Sequence, residues 1–271
     1  MVTVAVVGNL SRDVVGGERP RVGGAPFYAA RALRELGLPS RIVARCRADD
    51  RLALVTPLIA QGVPVTWLPA ERTAAFSFSY ANDRRTMVVD ELGDPWTPED
   101  ARRRLPVALG GARWVHVGAL GRSDFPAATL AELARGRSVS LDGQALVRPA
   151  RTGALSLDAA FDPAVLEHVT VLKLAEEEAR VLGGEDFEDE LRALGVPEIV
   201  VTLGPRGALV LAGGTAELVP AVPLTGIVDP TGAGDAFAAA YVSARSAGQA
   251  PASAARRANG LVAGVLVGRA A

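Results

Sequence analysis

Asp235 closes the run Asp229-Pro230-Thr231-Gly232-Ala233-Gly234-Asp235, and the apolar segment AFAAAYV follows it directly. Glycines at this spacing let main-chain N–H groups approach a ligand closely. The Ala-rich segment behind them is a strong helix former that Gly248 can end. A Gly-rich turn opening a helix gathers anions, because unpaired N–H groups point outward and the helix dipole favours negative charge. Asp235 runs against that preference. A carboxylate in such a cradle repels a phosphate unless it has work to do, such as taking a proton from a neighbouring hydroxyl. The plain alternative is a Gly-rich turn that merely leads into a core helix.

The elements that must position this turn follow from hydrophobic patterning. VTVAVVG (2–8) is β-branched, apolar and ends on glycine, which predicts a buried strand. APFYAARALRELG (25–37) predicts a helix with a glycine stop, SRIVARC (40–46) a strand, and DRLALVTPLIAQG (50–62) a helix interrupted by Pro57. Three short strands follow at 63–69, 74–81 and 84–91, the last two joined as a hairpin. Thr97-Pro98-Glu99-Asp100 starts a helix over 97–109. Strands and helices then alternate: strands at 112–118, 138–143, 169–174 and 197–204, helices at 125–136, after 175 and near 186–194. A hairpin over 207–221 and two closing helices complete the chain.

Such alternation implies a parallel sheet covered on both faces, and the early cluster of short strands implies a small β lid beside it. The division is a single domain over 1–271 with lid segments near 14–23 and 63–91. In open α/β sheets ligands bind beyond the carboxyl ends of the strands. Five polar features fall at such ends: GNLSRD (8–13), LDGQALVR (141–148), LKLAEEE (172–178), TLGPRG (202–207) and DPTGAGD (229–235).

Composition excludes several classes. A net charge of -1 gives no basic field for nucleic acid, and the only cysteine, Cys46, supports neither a disulfide framework nor a thiolate zinc site. No apolar run reaches membrane-spanning length, and the first strand is too short for a secretion signal, so a cytoplasmic location is expected. Lys173 is the only lysine among 29 lysine and arginine residues, which reads as coding bias or thermal adaptation. Neither a P-loop nor a dinucleotide G-x-G-x-x-G is present.

DPTGAGDAF closely resembles the C-terminal signature of the PfkB (ribokinase-like) sugar and nucleoside kinases. VVGNLSRDVV and VGGAPFYAARALRELG are similar to the family's first strand, substrate aspartate and Gly-Gly turn, and VTLGPRGALVL to its nucleotide segment. The resemblance runs in order over nearly the whole chain. It implies a three-layer α/β fold, with helices on both faces of a mostly parallel sheet and a β lid. It further implies ATP-dependent, Mg²⁺-assisted phosphorylation of a hydroxyl.

By the same resemblance Asp235 would be the general base, with Gly232, Ala233 and Gly234 as the anion hole. Asp13, Gly24, Tyr28 and Asp229 would hold the acceptor. Thr202, Gly204, Gly207 and Asn259 would border the nucleotide, and Glu178 would serve the metal. The sequence departs from the family at Ala175, where an asparagine is usual, and at Tyr28, which replaces another asparagine. A sugar or cyclitol is the expected acceptor. The alternatives are a nucleoside kinase of the same family and a non-catalytic nucleotide or sugar sensor. A homodimer through the lid is also expected, with no nucleic-acid or membrane partner.

Overall fold

A computed structural model describes residues 4–81, 84–224 and 229–270. The strands are β1 (Val4–Asn9), β2 (Ser11–Val15), β3 (Arg21–Gly23), β4 (Ser40–Arg47), β5 (Val65–Ala70), β6 (Ala74–Ala81), β7 (Arg84–Glu91), β8 (Trp114–Gly118), β9 (Ser138–Asp142), β10 (Gly153–Ala154), β11 (Val171–Ala175), β12 (Glu198–Thr202), β13 (Ala208–Ala212) and β14 (Thr215–Val219). The helices are α1 (Ala25–Leu36), α2 (Arg51–Ile59), α3 (Leu105–Ala108), α4 (Ala127–Leu133), α5 (Gln144–Val147), α6 (Glu176–Gly183), α7 (Glu188–Ala193), α8 (Ala233–Ser246) and α9 (Pro251–Ala270).

Nine strands form the central sheet in the order β14-β13-β12-β11-β9-β8-β1-β4-β5. The seven strands from β12 to β5 are parallel, while β13 and β14 turn back antiparallel at one edge. Every residue of β1 is buried, as a strand covered on both faces requires. One core packs Val115, Val117, Leu141, Leu172 and Leu174 against α3 to α7. On the other face, α1, α8 and α9 bury Ala29, Leu33, Ala236, Ala239, Tyr241 and Ala258.

The lid is a separate five-stranded sheet, β10-β7-β6-β2-β3. Its alternation is one-sided: Phe76 and Phe78 of β6 are buried, while Ser77 and Ser79 bond to Asp90 and Thr86 on the exposed face. Two lid boundaries differ from the sequence expectation. β5 pairs in parallel with β4 and ends the central sheet, so residues 65–70 are not lid. The two-residue strand β10 joins the lid by pairing with Val88 and Val89, far from the other lid strands in sequence.

Candidate active site

The order in which strands are added reverses at β1, with β4 and β5 to one side and β8 onward to the other, so a crevice opens there beyond the strand ends. The N-termini of α1 and α8 meet in it. Gly24, which precedes α1, has φ +95°, and a Cβ on it would stand 2.4 Å from the Asn9 carbonyl oxygen. Gly232 precedes α8 with φ +73°, and a Cβ there would stand 2.2 Å from the Tyr28 ring. Both positions therefore exclude a side chain by conformation and by contact. The Tyr28 ring lies against the turn rather than projecting beyond it.

Two neighbouring hollows share Asp13, Tyr28, Phe78 and Thr231. The inner one, about 180 Å³, is lined by Gly24, Gln144, Arg148, Gly232 and Asp235, with Phe76 and Met87 from the lid. The outer one, about 410 Å³, adds Val15, Arg21, Phe27, Arg31, Gln61 and Asp229. The lid aromatics thus face the crevice; the side chain of Tyr80, expected on the same face, lies outside the described residues. Asp13 takes a 2.7 Å hydrogen bond from the Ser11 hydroxyl. Asp229 folds its own loop by accepting both the N–H (2.9 Å) and the hydroxyl (2.6 Å) of Thr231.

Beneath the turn sits a buried charge cluster. Lys173 of β11 reaches Asp142 Oδ2 of β9 at 3.3 Å, and both side chains are at most 6% exposed. The Lys173 ammonium lies 2.9 Å from where a Cβ on Gly234 would be. Burial, followed by the Asp142 charge, pushes Asp235 up to about 7, against the opposing pull of Lys173 and Arg148. Burial and Asp142 raise Glu178 to about 7 in the same way. Burial works against the ammonium of Lys173, yet Asp142, Glu178 and Asp235 together hold its pKa above the ordinary lysine value. A carboxylate near 7 is suited to general-base work at neutral pH.

Of the three N–H groups expected to form an anion hole, one is already engaged within the turn. The Ala233 N–H donates to the Pro230 carbonyl at 2.9 Å, closing the turn on itself. Among the described residues the N–H groups of Gly232 and Gly234 have no such acceptor, so they are the donors that remain for an anion.

The four residues expected to border a nucleotide gather at the β12–β13 corner and on α9, with their polar atoms engaged. Thr202 Oγ1 donates to the Leu174 carbonyl at 3.1 Å. Gly204 starts a short exposed turn, and a Cβ on Gly207 would stand 2.0 Å from the Val219 oxygen. Asn259 Nδ2 donates to the Val219 and Pro220 carbonyls at 3.2 and 2.9 Å.

Glu178 Oε2 accepts the Ala175 N–H at 2.8 Å, capping α6 from its own first turn. Among the described residues no three acidic, histidine or cysteine side chains converge to hold a metal. With alanine at 175 and an ammonium inside the carboxylate cluster, these residues do not make a protein-held magnesium site.

The profile of the pfkB family carbohydrate kinases matches residues 14–269. The chain belongs to this family. A ribokinase of Bacillus subtilis is 28% identical over 270 residues, covering 92% of this chain and 87% of its own. A cytidine kinase of Thermococcus kodakarensis is 38% identical over a shorter stretch of 91 residues, 31% of this chain and 32% of its own. Among solved structures, a pyrophosphate-dependent kinase in the ribokinase family, complexed with a pyrophosphate analog and myo-inositol, superposes with TM-score 0.80. Its identity is 24%, over 98% of this chain and 95% of the other. This pfkB kinase thus has the ribokinase-like fold, and phosphoryl transfer to a hydroxyl is the chemistry of its family.

Lys173 and Gln144 have no individual functional reading from sequence. LKL in a strand alternates in the ordinary way, and nothing local shows that the lysine faces inward. The one available signal was its singularity: a chain that otherwise uses arginine keeps a lysine at a strand end that faces the site.

Proposed function

We propose that this kinase transfers the γ-phosphoryl group of ATP to a ring hydroxyl of a sugar or cyclitol bound in the inner hollow. The observation that carries the reading is Asp235, a carboxylate raised to about 7, in the wall of the hollow that Asp13 also lines. Asp13 offers acceptor oxygens to adjacent hydroxyls of the ring. Asp235 takes the proton of the reacting hydroxyl, whose oxygen attacks the γ-phosphorus. The bond from that phosphorus to the β–γ bridging oxygen breaks, and ADP leaves. The N–H groups of Gly232 and Gly234 and the half-buried Arg148 receive the charge on the phosphoryl oxygens. Magnesium would come bound to the donor's own phosphates, where it would supply charge neutralisation. The family's ATP segment supports this donor, while the likeness to a pyrophosphate-dependent kinase makes pyrophosphate the donor to test beside it.

One observation favours a second reading, a nucleoside acceptor. Phe78 borders both hollows, and the outer one, at about 410 Å³, is by itself in the size range of a small-molecule site. Phe27, Tyr28 and Phe78 there could stack a base whose ribose occupies the inner hollow. ADP or phosphate release measured with ATP and with pyrophosphate against myo-inositol, D-ribose, D-fructose, cytidine and inosine separates the cases. Turnover confined to nucleosides replaces the first reading with the second. No turnover with any pair of substrates leaves the sensor reading in place of both.

A further inference from the structure

The carboxylates Asp142, Glu178 and Asp235 come from β9, α6 and α8 and interact electrostatically around Lys173 without converging closely enough to hold a metal. Like charges so placed repel one another and resist ionisation. In a kinase that relies on an ion to balance them, a metal would be expected among them, but the residues here do not make such a site. The centre is instead taken by an ammonium. Lys173 Nζ bonds to Asp142 Oδ2 at 3.3 Å, lies 2.9 Å from where a Cβ on Gly234 would be, and is electrostatically engaged with Glu178 and Asp235. The other charged or titratable groups facing the cluster are Arg148, which follows α5, and His116 of β8. His116 is kept neutral by burial, its pKa lowered to about 4.

The lysine is also chemically conspicuous. Every other basic side chain except the two histidines is arginine. An ammonium is a compact point charge with three donors, whereas a guanidinium is a broad planar fork. The space below Gly234 suits the first shape, since a single added carbon there would already stand 2.9 Å from Nζ.

We propose that Lys173 is a positioning residue for phosphoryl transfer. Its buried ammonium balances the Asp142–Glu178–Asp235 carboxylates and seats Asp235 under the Gly232–Gly234 donors, a task that a protein-bound metal would otherwise perform. This rests on the kinase reading above. It differs from a packing role because it acts through charge on the reacting base and leaves substrate affinity alone.

The test uses four proteins: wild type, Lys173→Met, Asp142→Asn and the double variant Asp142→Asn/Lys173→Met. Each is assayed with ATP and the best acceptor of the panel, with folding checked by circular dichroism. Lys173→Met should lower kcat by about 10²-fold, the low end for loss of a functioning base, with KM for donor and acceptor within about threefold. Removing a negative charge in the double variant should restore kcat at least about tenfold over Lys173→Met, as coupled charges require. Should Lys173→Met fail to fold, the double variant is compared with Asp142→Asn, below which its kcat should lie by about tenfold or more. A kcat within about threefold of wild type in Lys173→Met overturns the inference, as does a loss confined to KM. A double variant no better than Lys173→Met, or equal to Asp142→Asn, overturns it as well. A wild type without transferase activity overturns the kinase reading and this inference together. An active wild type with an indifferent Lys173→Met overturns this inference alone.

Discussion

The two sides of the Gly232–Asp235 turn are built differently. On the acceptor side, polar side chains converge on a hollow: Asp13, Gln144, Arg148 and Asp235 line it, and a buried ion cluster supports it from beneath. On the side expected to receive the donor, polar atoms hold the chain to itself: Thr202 to the Leu174 carbonyl, Asn259 to the Val219 and Pro220 carbonyls where β14 ends. The proposed acceptor side is therefore lined largely by side chains. On the proposed donor side, the side chains named from sequence bond to main-chain carbonyls. Substitutions on the first should act on rate and specificity, and substitutions on the second on stability.

The largest effect is expected from Asp235→Asn. Losing the base should cost about 10²–10⁴ in kcat while ATP binding, read by calorimetry, stays near wild type. The same change should raise thermal stability at pH 8. A carboxylate with a folded pKa near 7, above its unfolded value near 4, favours the folded state when protonated and penalises it when charged. That penalty grows as pH rises from about 4 to about 7, and the neutral amide removes it. The Tm gain should be about 2–4 °C for each kcal/mol relieved at pH 8, and smaller at pH 5. A variant that is inactive and also less stable at pH 8 breaks the contrast between the two sides.

Next comes Gly232→Val. A β-branched residue at φ +73° is strained by about 1–3 kcal/mol, and it must also displace Tyr28. The turn and the acceptor wall move together, so kcat/KM should fall more than about tenfold with a lower Tm. Near-normal kinetics would place the transferring group elsewhere. Phe78→Ala sharpens the choice of acceptor. Loss of a stacking ring should raise KM for nucleosides by about tenfold, the equivalent of roughly 1–1.5 kcal/mol, and leave that for myo-inositol within about twofold. The smallest kinetic effect belongs to Asn259→Ala. Two carbonyls lose their donor, at about 1–3 kcal/mol of stability, and kcat should change by less than about twofold. A large rise in KM for ATP with unchanged Tm would make Asn259 a donor contact instead.

The legibility of the chain follows the same division. The turn and the parallel sheet were readable because each depends on local chemistry: glycine at positive φ and buried β-branched strands; that Asp13, Tyr28 and Asp235 share one hollow was implied by the family resemblance. The extent of the lid was not readable. β5 has the short, mixed composition of its lid neighbours, and only pairing with β4 assigns it to the central sheet. β10 is two exposed residues defined wholly by partners on β7. Ala233 read as a free N–H donor because the carbonyl that engages it, that of Pro230, is set by turn geometry and not by residue type. Lys173 was illegible for the deepest reason. Its neighbours Asp142, Glu178 and Asp235 meet only after three other elements have packed, so no window of sequence contains the cluster.

The central claim is that Asp235 is the base whose ionisation gates phosphoryl transfer. Its most direct test is kcat/KM for the best acceptor from pH 5 to pH 9, measured for wild type and Asp235→Asn at saturating donor. A raised carboxylate must lose its proton before it can accept one, so activity should fall about tenfold per unit as pH drops below about 7. Asp235→Asn should show no such limb on its residual rate. A wild-type profile that is flat from pH 5 to pH 8, or an Asp235→Asn variant that keeps both the rate and the limb, would contradict the account.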